Sequence, residues 1–169
     1  MGCQHFEPTE GGAETFTVAM PKYTFGRGCL KEAGERAKAL RMSKVALFTD
    51  PYLRDGPYVE IVVESLKKQS LSVDIFSDVR VEPDDDTVRL ATQFLADGQF
   101  DGVISVGGGS VMDTAKAAMA CAIYSMDVAD FFAPPVGPGK PVPGPVHPHL
   151  ACPTTSGTGS ECTSVSVIR

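Results

Sequence analysis

Val103-Ile104-Ser105-Val106-Gly107-Gly108-Gly109-Ser110-Val111-Met112-Asp113-Thr114-Ala115-Lys116 reads as a buried strand that runs through three glycines into a helix. The apolar run is short, β-branched and without clean alternation, as in strands covered on both faces of a parallel sheet. After the glycines the pattern changes period. Met112, Ala115, Ala118, Met119 and Ala122 fall on one helical stripe.

The same alternation extends outward in both directions. Val45–Phe48, Val73–Phe76 and Leu150–Cys152 are further strand candidates, and the first three strands start 28 and 30 residues apart, the length of a βαβ unit. Helical stripes lie before and between them: Leu30, Ala33, Ala37 and Leu40; Val59, Val62, Val63 and Leu66; Val88, Ala91, Phe94 and Leu95. Together they predict an α/β fold, an open, doubly wound, Rossmann-like parallel sheet with right-handed crossovers. Toward the N-terminus, Thr15–Met20 and Lys22–Phe25 alternate about Pro21 and predict a strand pair, after a disordered tail over residues 1–14. Ala133–Pro148 holds seven of the thirteen prolines and predicts an ordered surface loop or lid. Val165–Ile168 predicts a strand that stops with the chain, as in a truncated domain.

Composition narrows the function. The chain has 169 residues, one domain's worth, with a net charge of −6 and no basic run, which fits neither nucleic acid nor an anionic membrane. No apolar stretch reaches the roughly 20 residues of a membrane helix, and the N-terminus has no secretory signal pattern. Five cysteines without a Cys-x-x-Cys pair predict no disulfide framework and a reducing compartment. The expected location is cytoplasmic, or mitochondrial in a eukaryote.

Four features carry potential chemistry. Gly107, Gly108, Gly109 and Ser110 form a turn whose backbone can approach a ligand closely, ahead of a helix N-terminus that favours an anion. Ser110 can cap that helix or donate to a phosphate. The turn by itself leaves open a tight strand-to-helix connection. Pro153–Glu161 packs five hydroxyls and two glycines directly after a strand, at the end where open α/β sheets bind ligands, although a flexible linker has similar composition. Asp50, just after the Val45–Phe48 strand, is placed either to accept ribose hydroxyls and repel a 2′-phosphate or to form a turn ahead of Pro51. Asp84-Asp85-Asp86 reads as a helix cap in preference to an acidic metal cluster. His147 and His149 have no third metal ligand near in sequence. Cys152 and Cys162 read as small packed side chains.

With these residues in view, the chain from about Phe16 to Arg169 resembles the iron-type alcohol dehydrogenases, whose superfamily also holds glycerol dehydrogenase and dehydroquinate synthase. The resemblance rests on Tyr23–Leu30, Thr49-Asp50, Val81-Glu82-Pro83 and, most sharply, Gly107–Lys116 and Pro153–Glu161. The proline-rich run Ala133–Pro143 looks most like the hydroxyacid-oxoacid transhydrogenase branch, which moves a hydride between 4-hydroxybutyrate and 2-oxoglutarate.

The resemblance implies the N-terminal, nucleotide-binding half of such an enzyme over residues 15–169, of the dehydroquinate synthase-like type and incomplete. Gly107, Gly108, Gly109 and Ser110 would hold a pyrophosphate. Thr154, Thr155 and Thr158 would line the adenine and ribose side. Asp50 would lie near the adenine ribose and favour NAD over NADP, and Asp113 near the nicotinamide. The family's Fe²⁺ or Zn²⁺ is held by one Asp and three His in a helical half, matched by no position here, so neither metal nor catalytic residues are expected in this chain. The isolated chain is then expected to be unstable and inactive. The full-length protein would act on a small alcohol or hydroxyacid as a homo-oligomer. The competing classes are a dehydroquinate synthase-like lyase and a nucleotide-binding module without catalysis.

Overall fold

The computed structural model describes residues 21–169, so the expected tail over 1–14 and the strand over Thr15–Met20 lie outside the described residues. Four strands form one sheet: β1 (Lys44–Phe48), β2 (Ser72–Phe76), β3 (Gly102–Gly107) and β4 (His149–Pro153). All pairs are parallel and the spatial order is β2-β1-β3-β4. The helices are α1 (Ala33–Ala39), entered through a 3₁₀ turn at Cys29–Glu32, then α2 (Pro57–Lys68), α3 (Asp85–Gly98) and α4 (Gly109–Tyr124). All four strands and all four helices coincide with the expected apolar runs and stripes.

Side-chain alternation along β1 and β3 builds the two cores. Val45 and Leu47 of β1 and Ile104 and Val106 of β3 point to one face, where Ala33, Ala37, Val59, Val62 and Leu66 of α1 and α2 cover them. Ala46, Phe48 and Val103 point to the other, against Val88, Ala91 and Leu95 of α3 and Val111, Ala115, Ala118 and Met119 of α4. On that second face Phe76 packs against Phe48 with ring centroids 5.3 Å apart, and Phe94 lies 5.4 Å from Phe76 and 5.0 Å from Phe100. Tilted aromatic contacts of this kind add about 0.5–1.5 kcal/mol each beyond the burial itself.

Burial on both faces holds for β1 and β3 but not for the outer strands. β2 leaves Ser72 and Asp74 exposed, and β4 is half-buried. A strand with one neighbour has one side of its ladder and part of each face uncovered, so β-branched content overstates its burial.

Three other expectations fail locally. Lys22–Phe25 is not a strand. No described residue pairs with its backbone, and Tyr23 and Phe25 are exposed. Val165–Ile168 is also irregular. Its backbone groups go to side chains and a loop, with Val165 O accepting from Lys116 Nζ, Val167 N–H donating to Asp113 and Arg169 N–H donating to Pro83 O. Leu40 lies just past the end of α1 and is exposed, so its place on the first stripe was fortuitous.

Ala133–Pro148 runs without strand or helix over the surface, as expected. Tyr124 Oη donates to Pro145 O at 2.7 Å, and Lys140 Nζ meets Asp130 at 2.8 Å. Among the described residues no helix is long and apolar enough to cross a membrane. Cys29, Cys121, Cys152 and Cys162 are all free thiols.

His149 opens β4 and its Nε2 lies 2.8 Å from the Oγ of buried Ser105 on β3. Desolvation, with the Lys116 charge as the lesser cause, pulls its imidazole from 6.5 down to about 4. Between those values the unfolded chain holds a proton that the folded chain does not, so acid favours unfolding. Stability should therefore fall as pH drops from about 6.5 to about 4, by at most about 1.4 kcal/mol per pH unit from this group. Urea denaturation of wild type and His149→Gln across that window should show the shallower slope in the variant. Identical slopes would mean His149 titrates normally.

Candidate nucleotide site

All four strands point the same way, so the segments that leave their C-terminal ends meet at one edge of the sheet. The chain turns one way from β1 to β2 and the other way to reach β3, which puts the reversal between β1 and β3. Open α/β sheets leave a crevice at such a reversal. Asp50, the Gly107–Gly109 turn and the Thr154–Thr158 loop all emerge at this edge, following β1, β3 and β4. Thr49 Oγ1 donates to Val106 O at 2.9 Å, and Thr154 N–H donates to Gly107 O at 2.9 Å. The three segments are thereby tied together at their roots.

The three glycines do different work. A methyl group on Gly107 would stand 2.4 Å from Val111 Cγ2, so this glycine lets the first turn of α4 fold back against β3. On Gly108 it would lie 3.1 Å from Thr155 Oγ1, and on Gly109 2.9 Å from Thr158 Cγ2. Those two glycines are the floor over which the hydroxyl loop closes. Gly108 has φ −82° and ψ −171°, open to any residue, so its role is space and not backbone freedom. Within the hydroxyl loop the reverse holds: Gly157 and Gly159 adopt φ of 122° and 67°, where side chains are disfavoured.

Gly108 occupies the cap position of α4 and no side chain caps that helix. Val111 and Met112 N–H both reach Gly108 O, while among the described residues no backbone carbonyl accepts from Gly109 or Ser110. Helix N-terminal N–H groups of this kind carry the positive end of the helix dipole. Ser110 does not cap the helix. Its Oγ accepts from Glu82 N–H at 3.3 Å, which leaves the hydroxyl proton to donate elsewhere. Thr154, Thr155 and Thr158 are exposed beside these donors. Hydroxyls and free amides around a glycine floor match a phosphate oxygen, which needs several donors and no bulk.

Asp50 is half-buried, and its Oδ1 accepts from the N–H groups of Tyr52 and Leu53 at 2.9 and 3.0 Å. The turn role is therefore realised, and it commits one carboxylate oxygen of two. Asp113 lies one turn into α4, 7% exposed, with Oδ2 accepting from Val167 N–H and Oδ1 in ionic contact with Lys116 Nζ at 3.0 Å. Oδ1 has no hydrogen bond of its own.

The aspartate run does cap α3. Asp84 accepts from the hydroxyl and the N–H of Thr87, which together hold its carboxyl below the usual range, while Asp85 and Asp86 pair with Arg89. His149 is engaged by Ser105, and among the described residues no group of three His, Cys, Asp or Glu is placed to hold a metal. Burial pushes the Cys152 thiol up to about 12, as suits a packed side chain. Cys162, in contrast, is exposed and hydrogen-bonded to Tyr23 Oη. It sits on an open 3₁₀ turn after Gly159, where there is no core for it to join.

Sequence reading assigned no role to Lys116, although the Asp113–Lys116 spacing of three along a helix is the signal for a same-face ion pair. Two hollows in the described region lie away from the crevice. One of about 180 Å³, lined by Leu95, Phe100, Met119 and His147, lies near the start of β3 and not at its C-terminal end.

The glycines give a separable prediction. Gly107→Ala should lower folding stability by about 1–3 kcal/mol through overpacking against Val111. Gly108→Ala, at an ordinary φ, should change it by less than about 1 kcal/mol. Urea midpoints of the two variants test this, and equal losses would contradict the division.

Comparison with known proteins agrees with this architecture. The family model for iron-containing alcohol dehydrogenase matches residues 21–169. The hydroxyacid-oxoacid transhydrogenases of rat and human mitochondria are 43% and 40% identical to the chain over 90% of its length, and the chain spans about a third of theirs (33%). Among solved structures, the NADH-dependent butanol dehydrogenase A of Thermotoga maritima superposes with TM-score 0.82 at 30% identity, over 92% of this chain and 38% of that one. The sulfoacetaldehyde reductase of Bifidobacterium kashiwanohense in complex with NAD⁺ gives 0.80 at 29% identity, over 92% and 40%. With a parallel sheet, a glycine floor and a hydroxyl loop in the matched region, this chain belongs to the iron-containing alcohol dehydrogenase family.

Proposed function

We propose that this chain is the NAD-binding part of an oxidoreductase that moves a hydride between a small hydroxyacid or alcohol and the nicotinamide. The observation that carries it is the set of free N–H groups at Gly109 and Ser110, roofed by Thr155 and Thr158 at the sheet's C-terminal edge. The pyrophosphate would rest on Gly107–Ser110, the adenosine side against Thr154, Thr155 and Thr158, and the nicotinamide toward Asp113. When bound, NAD supplies the hydride acceptor, and a metal held outside these residues supplies the Lewis acid that eases deprotonation of the alcohol. This chain's residues bind and orient the cofactor, and turnover requires the metal-holding remainder.

The relatives at about 40% identity named hydroxyacid-oxoacid transhydrogenase support that branch over a simple alcohol dehydrogenase. The family match favours a dehydrogenase over a dehydroquinate synthase-like lyase. Several of these relatives are named as mitochondrial, in keeping with a mitochondrial site in a eukaryotic source.

Asp50 supplies the specificity test. Its second carboxylate oxygen would accept from the adenine ribose and repel a 2′-phosphate. Asp50→Asn keeps an oxygen for the Tyr52 and Leu53 amides and removes the charge. A charge-assisted hydrogen bond contributes about 1.5–3 kcal/mol, so NAD should weaken by about tenfold or more while NADP gains relative to it. Fluorescence titration of both cofactors against each protein measures this. An unchanged NAD to NADP ratio would leave Asp50 as a turn residue only.

A further inference from the structure

Lys116 points from α4 into the segment that follows the hydroxyl loop. It is 15% exposed, and its ammonium lies 3.0 Å from Ser160 O, 3.3 Å from Thr163 O, 2.5 Å from Val165 O and 3.0 Å from Asp113 Oδ1. An ammonium has three protons to give. Here all three go to backbone carbonyls, and Asp113 Oδ1 keeps only the ionic contact. Three carbonyl dipoles from a six-residue stretch converge on one point, an arrangement that repels itself unless a cation sits there. Lys116 is that cation, tethered to the helix whose N-terminus forms the glycine floor.

A short chain of contacts links it to the floor. Ser160, whose carbonyl meets Lys116, donates its N–H to Thr158 Oγ1 at 3.3 Å and is itself buried. Thr158 in turn stands over Gly109. Asp113 Oδ2 fixes the far end of the segment through Val167 N–H. Among the described residues no other hydrogen bond joins Ser160–Val165 to α4.

We propose that Lys116 is a positioning residue: its ammonium gathers the Ser160–Val165 carbonyls and so holds the Thr155–Thr158 loop over the glycine floor, ready for the nucleotide. The consequence for nucleotide affinity rests on the NAD reading above, but loop order can be read without any ligand.

The experiment is residue-resolved amide hydrogen exchange on the ligand-free protein, wild type against Lys116→Met, followed by titration with NAD. Exchange at Ser160, Cys162 and Val167 should speed up at least about tenfold, while Leu47 and Ile104 in the sheet change less than about twofold. Lys116→Arg, which keeps the charge, should restore most of the protection. NAD affinity should drop about tenfold in Lys116→Met and recover in Lys116→Arg. Unchanged local exchange, or exchange that rises equally through the sheet, would overturn the positioning role. If Lys116→Met does not fold, Lys116→Gln takes its place with the same pattern required. A wild type that binds no NAD while the exchange pattern appears would defeat the NAD reading and leave the positioning role standing.

Discussion

The pairing of β1 with β3 is the constraint from which the rest follows. Both strands are buried on both faces, so each must satisfy its backbone through parallel neighbours and present side chains alternately to two different helix layers. Parallel neighbours bring their C-terminal ends to a common edge. The reversal of winding between these two strands then opens a crevice where Asp50 and the glycine turn emerge side by side. The Thr49 Oγ1 bond to Val106 O closes the root of that crevice and keeps the two strand ends in step.

Within the crevice, packing and the proposed ligand contacts fall on neighbouring residues. Gly107 belongs to the fold, because Val111 fills the volume that a side chain would take. Gly108 and Gly109 lie under Thr155 and Thr158 of the hydroxyl loop, and the proposed site uses the free amides beside them. Asp50 gives one oxygen to its own turn and has the other left over for the proposed ribose contact. Lys116 and Asp113 join the floor to the segment beyond the roof, so the site's two sides are held by a buried ion pair that touches neither glycine. A buried pair of this kind contributes less to stability than to geometry, since desolvation offsets much of its attraction.

Sequence alone disclosed the strands, the helices and the two loops that meet at the sheet's edge, because two cores and one sheet impose period-2 and period-3.6 patterns that survive in one dimension. It misled where a pattern depends on a partner. Lys22–Phe25 and Val165–Ile168 have strand-like composition, but no described strand lies beside either. The half-exposure of β2 and β4 follows from their place in the sheet, which residue types do not encode. Cys162 looked like packing material and stands open, because the turn after Gly159 carries it away from the core. Lys116 was visible as a residue and not as a contact. Its partners are carbonyls more than forty residues away, and a carbonyl leaves no trace in residue identity.

We propose that the chain takes a nicotinamide dinucleotide at the β1–β3 edge, floored by Gly107–Gly109 and roofed by Thr155 and Thr158. The most direct measurement is an NMR titration of the isotope-labelled chain with NAD, following every assigned backbone amide. Saturable shifts should concentrate at Asp50, Gly107–Ser110 and Thr154–Thr158, with little change at the N-terminal ends of the strands around Lys44, Gly102 and His149. Saturable shifts confined to the apolar hollow near Phe100 and His147, or spread without focus over the surface, would contradict it.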